Sequence, residues 1–325
     1  MPPILEAVDA TAAAARSGLT LPQKSTPCWL FYDEAGSRLF EQITTLPEYY
    51  LTRTERALFE RHADDIFLEI DTPVTIAELG AGTATKTGIL LEAATRFQDG
   101  VLYQPIDVSP TPLDQARKLV TQIPALTVHP RVANYITDPY RIERPADHSV
   151  LALYIGSSIG NFSPGEARAI LASLRSQLQP GDHLLLGADL APSSRKSVAA
   201  LRSAYDDAQG VSAAFNLNIL ARLNRELGAN FDLTCFSHES RWNPTHSRIE
   251  NHLKSLTHQT VHIPANSAGP ALTLLFSPGE TIHTENSYKF TAASIQALLQ
   301  PTGFTPIRTF DDPNHLFAVT LAQAT

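Results

Sequence analysis

The chain has 325 residues, 43% of them hydrophobic and 18% charged, which is long for one domain and sufficient for one large core or two. Its formal net charge of −8, with no basic tract or arginine cluster, argues against a nucleic-acid partner. No run approaches the ~18 apolar residues of a membrane span. Met1-Pro-Pro-Ile-Leu-Glu lacks the basic and apolar blocks of a secretory signal. Cys28 and Cys235 lie far apart without metal-ligand spacing and read as reduced thiols, so a cytoplasmic location is expected. The histidines are scattered. Their densest run, His238, His246, His252 and His258, has no helical His-x-x-x-His pairing, and no metal is expected.

In chain order, residues 7–17 are alanine-rich and helical, and 33–45 and 52–70 read as further helices with Asp33 and Thr52 as N-caps. Then comes Val74-Thr-Ile-Ala-Glu-Leu-Gly80-Ala-Gly82-Thr-Ala-Thr-Lys86-Thr. An apolar strand ends near an acid, and a glycine pair leads into a helix start. Glycine serves such a turn because a Cβ would block a ligand and resist a positive φ. Three turns compete for this segment. A P-loop needs a second glycine where Thr85 stands. The dinucleotide pattern Gly-x-Gly-x-x-Gly also meets Thr85 at its third glycine. The Glu-x-Gly-x-Gly turn of S-adenosylmethionine (SAM) methyltransferases fits without mismatch. A plain strand-to-helix turn remains the alternative for so short a motif.

A crossover helix over 87–97 leads to Val101-Leu-Tyr-Gln-Pro-Ile-Asp107, a second strand ending in a carboxylate that can accept both ribose hydroxyls of a nucleoside. Further strands are expected at 126–132, 149–155 and 183–189, with a helix at 165–178. This alternation predicts a parallel sheet with helices on both faces. Residues 194–227 read as helical, and 231–290 alternate polar and apolar residues as antiparallel strands do. A short helix at 292–299 and a hairpin of 304–309 with 316–321 close the chain. The pattern is α/β, a class I SAM-methyltransferase (Rossmann-like) sheet with an inserted α+β substrate-binding domain. Expected boundaries are 1–55 for an N-terminal helical segment joining the substrate domain, 56–194 for the SAM-binding domain, 195–286 for the insertion, and 287–325 for the closing helix and hairpin.

Longer segments carry a family resemblance along nearly the whole chain. They are Phe31-Tyr-Asp-Glu-Ala-Gly-Ser-Arg-Leu-Phe, Leu46-Pro-Glu-Tyr-Tyr-Leu-Thr-Arg-Thr-Glu, Glu78-Leu-Gly-Ala-Gly-Thr-Ala-Thr-Lys-Thr, Gly156-Ser-Ser-Ile-Gly-Asn-Phe, Ala204-Tyr-Asp-Asp-Ala and Thr284-Glu-Asn-Ser-Tyr-Lys-Phe. With them the chain resembles the histidine-specific Nα-methyltransferases, which make hercynine, the trimethylbetaine of histidine, for ergothioneine biosynthesis. The resemblance implies SAM as methyl donor and L-histidine as acceptor, bound between two domains. It implies that Tyr49, Gly156, Asn161 and Tyr205 hold the acceptor's α-carboxylate and amine, that Tyr32 lies beside the amine, and that Glu285 and Ser287 read the imidazole. On the donor side it implies Gly80, Gly82 and Lys86 at the methionine part, Asp107 at the ribose, and Asn134-Tyr135 at the adenine. The chain departs from the family pattern twice. Asn134 stands where an acid is usual, and Asn251 stands where a bulkier apolar residue, often methionine, is expected.

The chemistry asks for such groups. Methyl transfer from a sulfonium is an in-line displacement, so catalysis is largely positioning. The acceptor amine must be neutral, and an α-amine with a pKa of about 8 supplies a neutral fraction near pH 7 without a strong base. The trimethylated product is a fixed cation, which aromatic faces suit. Glu285 and Ser287, two apart, share a face of a strand. A related methyltransferase acting on another amino acid or small amine, and a non-catalytic SAM- or nucleotide-binding module, are the competing readings. Thr85 speaks against a nucleotide hydrolase. A monomer acting on a small molecule, with no nucleic acid or membrane partner, is expected.

Overall fold

The computed structural model describes residues 4–136, 138 and 140–325, with side chains from residue 9 onward. The chain runs through α1 (Ile4–Leu19), a 3-10 turn (Cys28–Phe31), α2 (Glu34–Thr45), α3 (Tyr50–Leu68), β1 (Val74–Leu79), α4 (Thr87–Phe97), β2 (Val101–Asp107) and α5 (Pro110–Val120). It continues with β3 (Leu126–Val128), β4 (Arg131–Val132), β5 (Ser149–Tyr154), a second 3-10 turn (Ser158–Asn161), α6 (Pro164–Ser176), β6 (His183–Asp189), α7 (Val198–Ser203) and α8 (Val211–Leu227). β7 (Phe236–Asn243), β8 (Arg248–Ser255), β9 (Gln259–Ile263), β10 (Leu272–Phe276), β11 (Thr281–Tyr288), α9 (Ala292–Leu299), β12 (Phe304–Asp311) and β13 (Phe317–Ala324) complete it. Two compact units result, Met1–Tyr49 with Val198–Ser287, and Tyr50–Ser197 with Tyr288–Thr325.

The second unit holds one large sheet in the order β12-β13-β6-β5-β1-β2-β3, with β4 also on β2. β1 pairs in parallel with both β2 and β5, and β5 with β6, while β13 runs antiparallel to β6 and β12. This is a mixed sheet, parallel through its centre and closed by an antiparallel hairpin, as the alternation of elements and the closing hairpin predict. Every residue of β1 and of β6 is buried, as expected of strands covered on both faces. The order reverses between β1 and β5, and ligands of open α/β sheets bind at the carboxyl edge of such a switch point. The donor-side candidates lie after β1, at the end of β2 and after β4, while the segment after β5 carries Gly156 and Asn161 of the acceptor side.

The first unit contains the antiparallel sheet β11-β8-β7, the pair β10-β9, and the helices α1, α2, α7 and α8. Asp33 caps α2 by accepting the Gly36 N–H at 2.7 Å. Phe31 and Phe215 stack at 4.4 Å and tie the first 3-10 turn to α8. A stacked pair of this kind adds to the burial of both rings.

Three expected elements differ. α3 begins at Tyr50, so Thr52 lies inside it, because Tyr50 and Leu51 are buried and belong to its packed face. The strand expected over 126–132 is two short strands broken at His129-Pro130, since proline brings no N–H to a ladder. The helical stretch over 194–227 is α7 and α8 separated by a turn that ends at Gly210, whose φ of 76° is left-handed.

Candidate functional site

After β1 the backbone turns through Gly80 (φ 70°) and Gly82 (φ 52°), conformations open to glycine at little cost. The Gly80 N–H donates to Ile106 O at 2.8 Å, and the Gly82 N–H donates to Asp107 Oδ2 at 2.9 Å. Asp107 Oδ1 accepts from the Ser109 N–H at 2.9 Å. One carboxylate thus braces the glycine turn and keeps lone pairs for a ligand's hydroxyls. Burial raises its pKa, while the N–H groups of Ser109, Gly82 and Val108 oppose that rise. A Cβ on Gly82 would meet nothing within 4 Å, and one on Gly80 would lie 3.7 Å from the Tyr135 ring. Gly80, Gly82, Asp107 and Tyr135 therefore gather at one edge of the sheet, with Val108, Val132 and Ile136 presenting exposed apolar side chains there. That set suits the methionine, ribose and adenine parts of SAM.

The Tyr135 hydroxyl pairs with the Tyr154 hydroxyl at 3.2 Å. Asn134 Oδ1, the group expected to face the adenine amino group, accepts the Ile136 N–H at 3.0 Å and has one lone pair left for a ligand. Glu78, the acid of the glycine motif, faces the interior. It accepts from the hydroxyls of Tyr103 and Thr87, and burial raises its pKa to about 7. It is a strut beneath the turn, fastening the first residue of α4 to β1.

Lys86 and Gly156 are placed differently from a simple reading of the motifs. Lys86 is not a free surface arm, because its ammonium is ion-paired with the buried carboxylate of Glu55. The same carboxylate accepts the Gly156 N–H at 2.8 and 3.0 Å, so the carbonyl oxygen is the remaining backbone polar atom of Gly156. Asn161 ends the 3-10 turn after β5 and is half-buried. Gly160 beside it could not be another residue, since a Cβ would lie 2.8 Å from Tyr288 O.

In the first unit, residues far apart in sequence converge. Tyr32 contacts Phe40 edge-on at 5.7 Å, Phe40 contacts Tyr49 at 6.4 Å, and Tyr49 contacts Tyr205 at 6.1 Å. The Tyr205 hydroxyl pairs with Ser287 Oγ at 2.8 Å. Tyr32, Tyr49, Tyr205 and Ser287 thus form one cluster, threaded by Phe40 and bordered by Phe215. Glu285 Oε2 accepts from Asn251 Nδ2 at 2.8 Å, and Asn251 Oδ1 is buried without a hydrogen-bond partner among the described residues. Such an orphaned acceptor is costly unless something donates to it. His238 Nδ1 lies 2.8 Å from Asn216 Nδ2, and its Nε2 lies 2.9 Å from Tyr205 O. The Tyr205 carbonyl can only accept, so the proton sits on Nε2 and is given to it, and Nδ1 accepts from Asn216 Nδ2. Burial lowers the His238 pKa and so favours the neutral ring, against the Tyr205 carbonyl and nearby carboxylates.

Sequence reasoning missed Glu55, Phe40, Phe215 and His238. Glu55 and Phe40 lie inside the quoted motifs, where only the unequal burial of neighbouring positions could have separated them. Phe215 and His238 carry no local signal. No group of three or more His, Cys, Asp or Glu side chains is placed to hold a metal among the described residues.

Comparison with known proteins adds a lineage to this geometry. A family model described as "Histidine-specific methyltransferase, SAM-dependent" matches residues 11–324. The histidine N-alpha-methyltransferase of Mycolicibacterium smegmatis is 38% identical over 97% of this chain and 95% of its own length. That of Mycobacterium tuberculosis is 37% identical over 94% of this chain and 92% of its own. Ergothioneine biosynthesis protein 1 of Schizosaccharomyces pombe is 28% identical over 90% of this chain, which corresponds to 38% of that larger protein.

Proposed function

Because the chain belongs to the SAM-dependent, histidine-specific methyltransferases, we propose that it transfers three methyl groups from SAM to the α-amine of L-histidine, giving hercynine on the way to ergothioneine. The observation that carries this is the convergence of Tyr32, Tyr49, Tyr205 and Ser287 in one cluster, beside strands bearing the Glu285–Asn251 pair.

In this reading Asp107 receives the ribose hydroxyls, Asn134 and Tyr135 the adenine, Gly80 and Gly82 the methionyl chain, and Lys86 its carboxylate. Tyr49, Tyr205 and Asn161 hold the α-carboxylate and amine of histidine. Gly156, its N–H already spent, accepts from the amine through its carbonyl oxygen. Tyr32 steers the amine lone pair or relays its proton. Ring faces in the cluster accommodate the growing methylammonium without the tight grip of a carboxylate. Glu285 accepts one imidazole N–H, and Ser287 exchanges a hydrogen bond with the other ring nitrogen. No strong base is assigned, since the α-amine is partly neutral near pH 7. No metal is assigned either, since a sulfonium is already a charged leaving group. In this reading the protein is a cytoplasmic monomer working on small molecules.

The test is direct. The protein is incubated with SAM and each common amino acid, and products are read by mass. Histidine should gain one, two and then three methyls; methylation of another amino acid with histidine untouched refutes the assignment. Glu285→Ala should cripple histidine methylation while calorimetric SAM binding stays near wild type. Equal loss of both would mean Glu285 is structural. The polar Asn251 favours a second reading, a more polar acceptor side chain than imidazole, which the same screen would detect.

A further inference from the structure

Glu55 has no role in the scheme above, yet it touches two residues that do. Its side chain, from α3, is 1% exposed, and a buried carboxylate persists only where it is paired and hydrogen-bonded. Its partners come from separate elements: the Gly156 N–H after β5, and the Lys86 ammonium before α4. Room for it exists because residue 187, in β6, is glycine; a Cβ there would lie 2.1 Å from Glu55 Oε1. Lys86 itself keeps 19% of its side chain exposed. An ammonium has three N–H donors, so one side of it is anchored by Glu55 while others stay available to a ligand.

We propose that Glu55 is a positioning residue for the methyl donor, fixing the Lys86 ammonium at the carboxyl edge of the sheet where it receives the donor's α-carboxylate. The inference rests on the reading of Lys86 given above. A lysine at a helix start would otherwise wander through solvent and lose much of its binding energy to ordering. Pairing also tempers its charge. The methionyl end of SAM carries an ammonium as well as a carboxylate, and a linked anion and cation complement that zwitterion better than a lone cation does.

Calorimetric titration with SAM tests this on wild type, Glu55→Gln, Lys86→Met and the double variant. The glutamine is isosteric and can still accept from the Gly156 N–H, but it no longer holds the ammonium by charge. Each single variant should bind SAM about tenfold more weakly, the scale of one charged hydrogen bond. The double variant should bind no more weakly than Lys86→Met, because Glu55 acts through Lys86. Wild-type affinity in Glu55→Gln overturns the proposal, as do losses that multiply in the double variant. If Lys86→Met alone binds as wild type does, the reading of Lys86 fails and the proposal with it, a result distinct from failure of Glu55 alone. Should Glu55→Gln not fold, Gly187→Ala displaces the carboxylate sterically. It should weaken SAM binding in the wild-type background and not in Lys86→Met; unchanged affinity in the wild-type background overturns the proposal.

Discussion

Glu78→Gln should remove a pH dependence of stability that the glycine motif builds into the fold. Burial moves the Glu78 carboxyl from 4.5 to about 7, against hydroxyl donation from Tyr103 and Thr87 and the nearby positive charge of Lys86. A displacement of that size corresponds to roughly 3 kcal/mol. The folded pKa lies above the unfolded one, so the folded state binds the proton more tightly. The group's contribution is therefore fully present below pH 4.5 and is lost as pH rises through about 7. Guanidinium unfolding of wild type and Glu78→Gln between pH 5 and pH 8.5 measures it. Relative to the variant, the wild type should lose roughly 2–3 kcal/mol across that window. A difference between the two proteins that stays flat with pH would refute the reasoning, and would mean that Glu78 is ionised throughout and its hydroxyl partners offset its burial.

Two further perturbations separate binding from stability. Asn251→Ala removes the donor that holds Glu285 and should raise the KM for histidine about tenfold, the scale of a hydrogen bond to a charged group, with SAM affinity unchanged; an unaltered KM would show that Glu285 is held without it. Asp189 is the shared counter-ion of Lys196 and Lys289, whose side chains are fully buried with it. Asp189→Asn should cost about 3–5 kcal/mol in chemical unfolding, because it removes the anion that two buried cations share. A melting temperature close to wild type would show that both lysines find other acceptors.

The linear chain determined a good deal of this protein. Apolar runs closing on Leu79 and Asp107 mark parallel strands, because strands covered on both faces need continuous hydrophobicity. The glycines at 80 and 82 mark a turn with positive φ, since a side chain there is strained. Asp33 announces a helix by its capping chemistry, and the closing hairpin is visible in its turn residues. These signals are local, arising within a few residues of one another. The tertiary structure alone decided the rest. The order of β1, β5 and β6 follows from which faces pack, and only that order brings Gly156 and the glycine turn to one edge. Helix α3 starts two residues before its expected cap because buried Tyr50 and Leu51 outweigh what a capping threonine offers. Lys86 reads as a solvated lysine until α3 carries Glu55 to it across 31 positions of chain, and Asn251 reads as a misfit until β11 lays Glu285 alongside. A hydrogen bond or ion pair between distant residues leaves no trace in either neighbourhood, because each side chain's preference is set by a partner that folding supplies.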